Sequence, residues 1–255
     1  MSEGGAVLAL PQREAPPITA VAFRVADWAA CHVAGPDQIE WFTAAPAAAG
    51  AASALPAMLR RRVSGIGQKA FAAALRLSPG ADDRFIVCSR HGEYRRTLSL
   101  LQALAAREPA SPADFSLSVH HALAGLLSIV RANSAGHTAV AAGSDSLAFG
   151  LIEAATCLAA GSDKQVLLVY FDEPLPEDYA KFCEEEDAFA AAFLLTPARG
   201  STGDVLLSLE PADRNRPRRS ATGQAADFVR FLASGEIGAE SRGSRGQWRW
   251  RRADG

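Results

Sequence analysis

The densest cluster of residues able to do covalent or acid–base chemistry lies between His91 and Asp145. Ser144 and Ser146 follow a short apolar run, Thr138 to Ala142, at a strand-to-helix junction where an exposed nucleophile can be presented. A hydrolase would take one of these serines as nucleophile, His91, His120, His121 or His137 as base, and Asp114 or Asp172 as the orienting acid. The elbow motif of that chemistry is G-x-S-x-G, whereas the run here is Gly143-Ser144-Asp145-Ser146-Leu147, without the second glycine. Capping suits the same side chains as well: Ser and Asp oxygens accept from the free N–H groups that open a helix.

Other chemistries have less support. Cys31, Cys88, Cys157 and Cys183 are widely spaced and lack histidine neighbours at zinc-ligand spacing, so neither a metal site nor a disulfide framework is expected. His120 and His121 are adjacent, and on a helix they would point about 100° apart, which ill suits a shared metal. Gly65-Ile-Gly67 and Gly161-Ser-Asp-Lys164 lack the G-x-x-x-x-G-K-[ST] pattern that wraps a nucleotide phosphate. No cofactor is expected.

Composition sets the frame. The chain has 255 residues, 49% hydrophobic and 21% charged, with a net charge of −2, enough for a sizeable core and unlike a disordered or polyanion-binding chain. No apolar run has a membrane-spanning length and the start does not read as a signal peptide, so no membrane span and a cytoplasmic location are expected. Charge is uneven: residues 212–255 hold 10 bases against 5 acids. This basic segment, with Arg214, Arg216, Arg218, Arg219 and Trp248-Arg-Trp250-Arg-Arg, reads as a solvated terminus or an edge strand, in preference to a nucleic-acid site.

The elements that must position these residues alternate. Ile18–Trp28, Arg84–Cys88, Thr138–Ala142, Gln165–Phe171, Phe189–Leu195 and Asp204–Leu209 read as strands. Helices are expected from Pro56, over Tyr94–Arg107, about Val119–Val130, Ser144–Ala160, around Tyr179–Glu186 and over Asp227–Ala233, with Gly161 closing the fourth. Pro36–Pro56 reads as a loop with a short helix. The pattern implies an α/β fold with a mixed, mostly parallel sheet covered by helices. The division expected is an N-terminal extension, 1–17, a domain over 18–211, and the basic tail, 212–255.

Several segments, in order, resemble the N-terminal half of β-ketoacyl-acyl-carrier-protein synthases. Ser111-Pro-Ala-Asp-Phe115 through His121-Ala-Leu-Ala-Gly-Leu-Leu-Ser-Ile129 is similar to their S-P-x-x-F…N-x-x-A-G-x-x-S-I stretch, with His121 at the asparagine. Arg61-Arg62 through Ala74 resembles an early helix, Val87-Cys-Ser-Arg-His-Gly92 the G-S-G-I-G-G strand end, and Gly161 through Val169 the G-x-x-D-x-x-L strand. Ala139-Val-Ala-Ala-Gly-Ser-Asp-Ser-Leu-Ala-Phe-Gly150 resembles the nucleophile segment, T-A-C-S-S-G, and places Ala142 at the acyl-accepting cysteine.

The resemblance implies half of a thiolase-like fold and a changed role. Alanine forms no thioester, Cys157 lies about four helical turns further on, and the family's two catalytic histidines belong to a second half that this sequence does not match. A cysteine-less homologue that shapes its partner's tunnel, a chain length factor, fits those departures, and the short synthase-like proteins of aryl polyene and xanthomonadin-type pigment clusters are similar. The implied partners are a full-length ketosynthase and, through it, an acyl carrier protein, for fatty acid or polyketide assembly. His91, Ser118 and Val119 are then candidates to line or gate an acyl tunnel, and His120, His121, Thr138, Val140 and Phe149 to face the partner. A hydrolase or acyltransferase on carrier-bound chains, or a carrier-docking scaffold using the basic tail, are the alternatives. A half unit would also leave an apolar face to be covered, by the tail or by a partner.

Overall fold

The computed structural model describes residues 19–35, 38–44, 56–182, 187–211 and 223–253. The expected extension, 1–17, Cys183 and the arginines from Arg214 to Arg219 lie outside them. A single nine-stranded sheet carries the fold. Its strands are β1 (Thr19–Gly35), β2 (Gln38–Thr43), β3 (Arg84–Cys88), β4 (His137–Val140), β5 (Val166–Asp172), β6 (Ala188–Pro197), β7 (Asp204–Glu210), β8 (Gly238–Arg242) and β9 (Gln247–Arg252). Their order is β4-β3-β5-β6-β1-β7-β9-β8, with β2 paired to β1.

The sheet is mixed, but the mostly parallel arrangement expected of it is not what forms. Only β3–β4 and β3–β5 run parallel, and every other pairing is antiparallel. The reason is the length of β1. Its 17 residues give it room to pair with β6 at one end, β7 at the other and the returning β2, all antiparallel. That return also replaces the expected loop at Trp41-Phe42 with a strand, paired Phe42 to Ala30 and Trp41 to Cys31.

Helices cover both faces. They are α1 (Ala57–Arg60), α2 (Gly65–Arg76), α3 (Tyr94–Ala105), α4 (Pro112–Ser118), α5 (Ala122–Arg131), α6 (Ser146–Ala159) and α7 (Gly223–Ser234). The helix expected from Pro56 breaks after Arg60, and Ser64 caps a new start by accepting from Gly67 N–H. The helix expected over about Val119–Val130 forms as α5, starting at Ala122, and a separate short helix, α4, precedes it. The stretch around Tyr179 forms a 3₁₀ turn, Glu177–Phe182.

One face of the sheet buries Phe71, Ala70 and Ala74 of α2 and Leu123 and Leu127 of α5 against Phe85, Val87, Leu167 and Val169. The other buries Leu147, Leu151 and Leu158 of α6 and Phe228 and Phe231 of α7 against Ile86, Leu168, Phe193, Trp248 and Trp250. Each large side chain so buried contributes about 1.5–3 kcal/mol.

The described part of the basic tail, 223–253, is thus built into the fold. Trp248 and Trp250 alternate with Arg249 and Arg251, so β9 turns both indoles inward, fully buried, and pairs with β7. Its arginines serve the fold: Arg249 pairs with Glu210 and Glu240, and Arg252 donates to the carbonyls of Phe231 and Leu232 at the end of α7. α7 packs in the same apolar cluster as α6, Trp248 and Trp250.

Among the described residues, no single helix is long and apolar enough to cross a membrane. Only α4 and α5 together pass by length and composition, and they meet at a 91° bend.

Candidate functional site

Two places bring the sequence candidates together. The first is the junction between β4 and α6. Ala142 ends the run after β4, a 3₁₀ turn, Gly143–Asp145, follows, and α6 starts at Ser146. This is an elbow in outline, but the Ala142 backbone and the Ser146 hydroxyl are engaged. The Ala142 N–H donates to Ser146 Oγ at 3.0 Å, and that hydroxyl donates to Gly143 O at 2.7 Å. The Ala142 carbonyl accepts from Asp145 N–H at 3.3 Å and from Arg245 Nη1 at 3.1 Å. Among the described residues, no histidine is hydrogen-bonded to Ser144 or Ser146, so the triad is not assembled.

Asp145 explains the geometry. Fully buried, it accepts from Ser244 N–H at 3.0 Å and its hydroxyl, from Arg245 N–H at 3.2 Å and from Trp248 Nε1 at 2.7 Å. A buried carboxylate must be satisfied in this way, because an unpaired one carries a heavy desolvation cost. Gly243 makes the approach possible, since a Cβ there would overlap Asp145 Oδ1. The 245 guanidinium lies 5.2 Å over the Phe149 ring, and Trp248 meets that ring edge-on at 5.4 Å. Phe149, an expected partner contact, therefore packs on its own chain. The sequence signal for the latch was the alternation of Trp248 and Trp250, which marks a half-buried strand.

The second place is the free side of β4 with the loops beside it. Among the described residues β4 pairs only with β3, and no described strand takes up the other row of its N–H and C=O groups. Thr138 and Val140 share one face, where Val140 packs on the α6 side of the core. His137 points the other way, its Nδ1 3.4 Å from Ser128 Oγ and its ring tilted against that of His121 at 4.2 Å. Burial, and then His121, lower the His137 pKa.

α5 packs beside β4, α4 on α5 and α3 on α4, and α3 and α4 bury no residue. Leu101, Leu104, Phe115, Val119 and Ile129 stay exposed there, with Ile129 at 69% and Phe115 at 67%. The arm is held by Arg96, which donates to Asp114 Oδ1 at 2.8 Å and the Arg62 carbonyl at 2.8 Å and pairs with Glu93. Val119 follows α4, and Ser118 Oγ turns back to donate to Phe115 O.

His91 sits in the loop after β3. It is half-buried, and burial, then Arg90 and His120, push its pKa down to about 4, so the ring is neutral at pH 7. Asp172, weighed at first as a catalytic acid, ends β5 and holds this loop instead, accepting from Arg90 N–H at 2.7 Å and His91 N–H at 3.1 Å. No group of three or more histidines, cysteines or carboxylates placed to hold a metal occurs among the described residues.

The family model described as β-ketoacyl synthase, N-terminal domain, matches residues 28–251. The chain belongs to this family. The match runs through β9, in keeping with the buried place of that strand in the fold. One chain of the solved complex of a ketosynthase (ApeO) with its chain length factor (ApeC), from Xenorhabdus doucetiae, superposes with a TM-score of 0.74 at 26% identity, covering 91% of this chain and 100% of that one. The ishigamide ketosynthase/chain length factor superposes with a TM-score of 0.54 at 12% identity, over 74% of this chain and 65% of that one, a likeness of fold. No curated protein matches the sequence. The fold is thiolase-like, and the chain is ketosynthase-like.

Proposed function

We propose that this protein is a non-catalytic, chain-length-factor-like subunit that pairs with a cysteine-bearing ketosynthase and sets the length of the acyl chain built on a carrier protein. The observation that carries the reading is the state of the Ala142 elbow. Acyl transfer needs a nucleophile and free backbone donors aimed at the oxyanion. Here the side chain is a methyl group, the Ala142 N–H is taken by Ser146 Oγ, and the carbonyl is taken by Arg245.

The open edge supplies what such a subunit needs. A strand with an unpaired side, flanked by five exposed apolar side chains, offers a surface for a partner of comparable character. The short chain seen in the ApeO–ApeC complex, matched over its whole length, supports the same pairing. His91 follows β3, the neighbour of β4, and Ser118, Val119 and His120 lie between α4 and α5, with the His120 ring against Gly92, so a partner docked on that side is expected to meet them. Product length is then steric: extension stops when the growing chain meets a side chain in the enclosed tunnel. Assembly of aryl-polyene-type chains is the pathway class in which we place it.

Co-expression with a full-length, cysteine-bearing ketosynthase from the same gene neighbourhood tests the proposal. A one-to-one complex is expected by size exclusion with mass determination, and His91→Ala in that complex should shift the carrier-bound products to longer chains by mass spectrometry. Two proteins that elute separately, or thioester formation on this chain, would overturn it.

A further inference from the structure

The loop that carries His91 is clamped from two sides. Behind it, the buried Asp172 carboxylate accepts from the consecutive N–H groups of Arg90 and His91, from Ser89 Oγ at 3.5 Å and from Tyr170 OH at 3.4 Å. Ser89 Oγ in turn accepts from Gly92 N–H at 2.6 Å. Three successive amides are thus oriented by one carboxylate and one hydroxyl, and charge-assisted bonds of this kind are stronger than neutral ones.

In front of the loop lies His120. Gly92 adopts φ +60°, and a Cβ there would stand 3.2 Å from the His120 ring, so the imidazole packs flat where only glycine leaves room. His120 Nε2 is buried without a hydrogen-bond partner, which makes the ring a packing element here. It belongs to the α4–α5 connection, next to Val119 on the open edge.

We propose that Asp172 is the positioning residue for His91, fixing through the 89–92 loop how far the imidazole stands into the space beside the β4 edge, with His120 as the opposing jaw. This rests on the reading of His91 as a tunnel residue. Asparagine at 172 keeps one acceptor but turns the other into a donor facing an amide N–H, so the loop must move. Once it moves, His91 loses burial and its closeness to Arg90 and His120, the causes that hold its titration low.

The test is a histidine-resolved NMR titration of the whole chain carrying Asp172→Asn, with Ser89→Ala as the milder variant should the first fail to fold. The His91 pKa should rise from about 4 toward 6.5 while the His32 ring signals, on the far strand β1, stay in place. A His91 titration left at its original value in a folded variant overturns the proposal. Products made by the ketosynthase complex separate the two claims. If titration moves and product length does not, His91 is positioned by Asp172 but is no gate; if product length moves and titration does not, Asp172 does not position His91.

Discussion

The two ends of the β4 region are finished in opposite ways. At its C-terminal end the chain closes over itself: Asp145 ties the Ala142 turn to the β8–β9 hairpin, Arg245 covers Phe149, and Trp248 is fully buried. Along its outer side one row of β4 is unpaired among the described residues, Phe115 and Ile129 are mostly in water, and the His121 and His137 rings meet at a tilt. A catalytic subunit would need the reverse, an accessible elbow. The contrast teaches that this chain uses its own residues to seal the elbow and leaves apolar side chains exposed elsewhere, the surface that the proposed reading gives to a partner.

Breaking the sealed side should have the largest effect. Trp248→Ala removes a fully buried indole and strands Asp145 Oδ1, and the cost should be about 3–5 kcal/mol, read as a lowered denaturation midpoint in urea. Breaking the open side should leave that midpoint unchanged. Phe115→Asp combined with Ile129→Asp should weaken binding to the ketosynthase by about thirtyfold or more, measured by titration calorimetry, as expected for exposed apolar anchors.

How much of this was legible beforehand differs between the same two sides. The strands β3 and β5 were plain, because short, continuously apolar runs bounded by turn signals mark buried strands. The β4–α6 junction was equally visible. What sequence could not supply was pairing between distant segments. The antiparallel partners of β1 lie some 170 residues away in β6 and β7, and register of that kind leaves no local mark. The hairpin was hidden by its arginines, which read as a solvated basic tail although Trp248 and Trp250 alternate as a strand should. Asp172 was singled out for acidity, and only the folded loop shows that backbone amides are its targets.

Smaller effects sharpen the contrast further. Burial holds the His91 pKa at about 4, below the unfolded value near 6.5, so the folded chain binds fewer protons than the unfolded one between them. That contribution to stability is complete above about pH 6.5 and is lost as pH falls toward 4; His137, lowered for the same first cause, acts in the same direction. Denaturation midpoints at pH 7 and pH 5 should therefore differ less in His91→Gln than in the wild type. The smallest change is expected at the sealed elbow, where Ala142→Cys should gain no acyl thioester detectable by intact-protein mass spectrometry, because the backbone donor remains bound to Ser146 Oγ.

Hydrogen exchange on the full chain, with and without the cysteine-bearing ketosynthase, reads both sides at once. Added ketosynthase should slow exchange in His137–Val140 and across Pro112–Arg131 and leave Gly238–Arg252 unchanged. Protection confined to the β8–β9 hairpin, or no protection along β4, would contradict the assignment of the open edge to the partner.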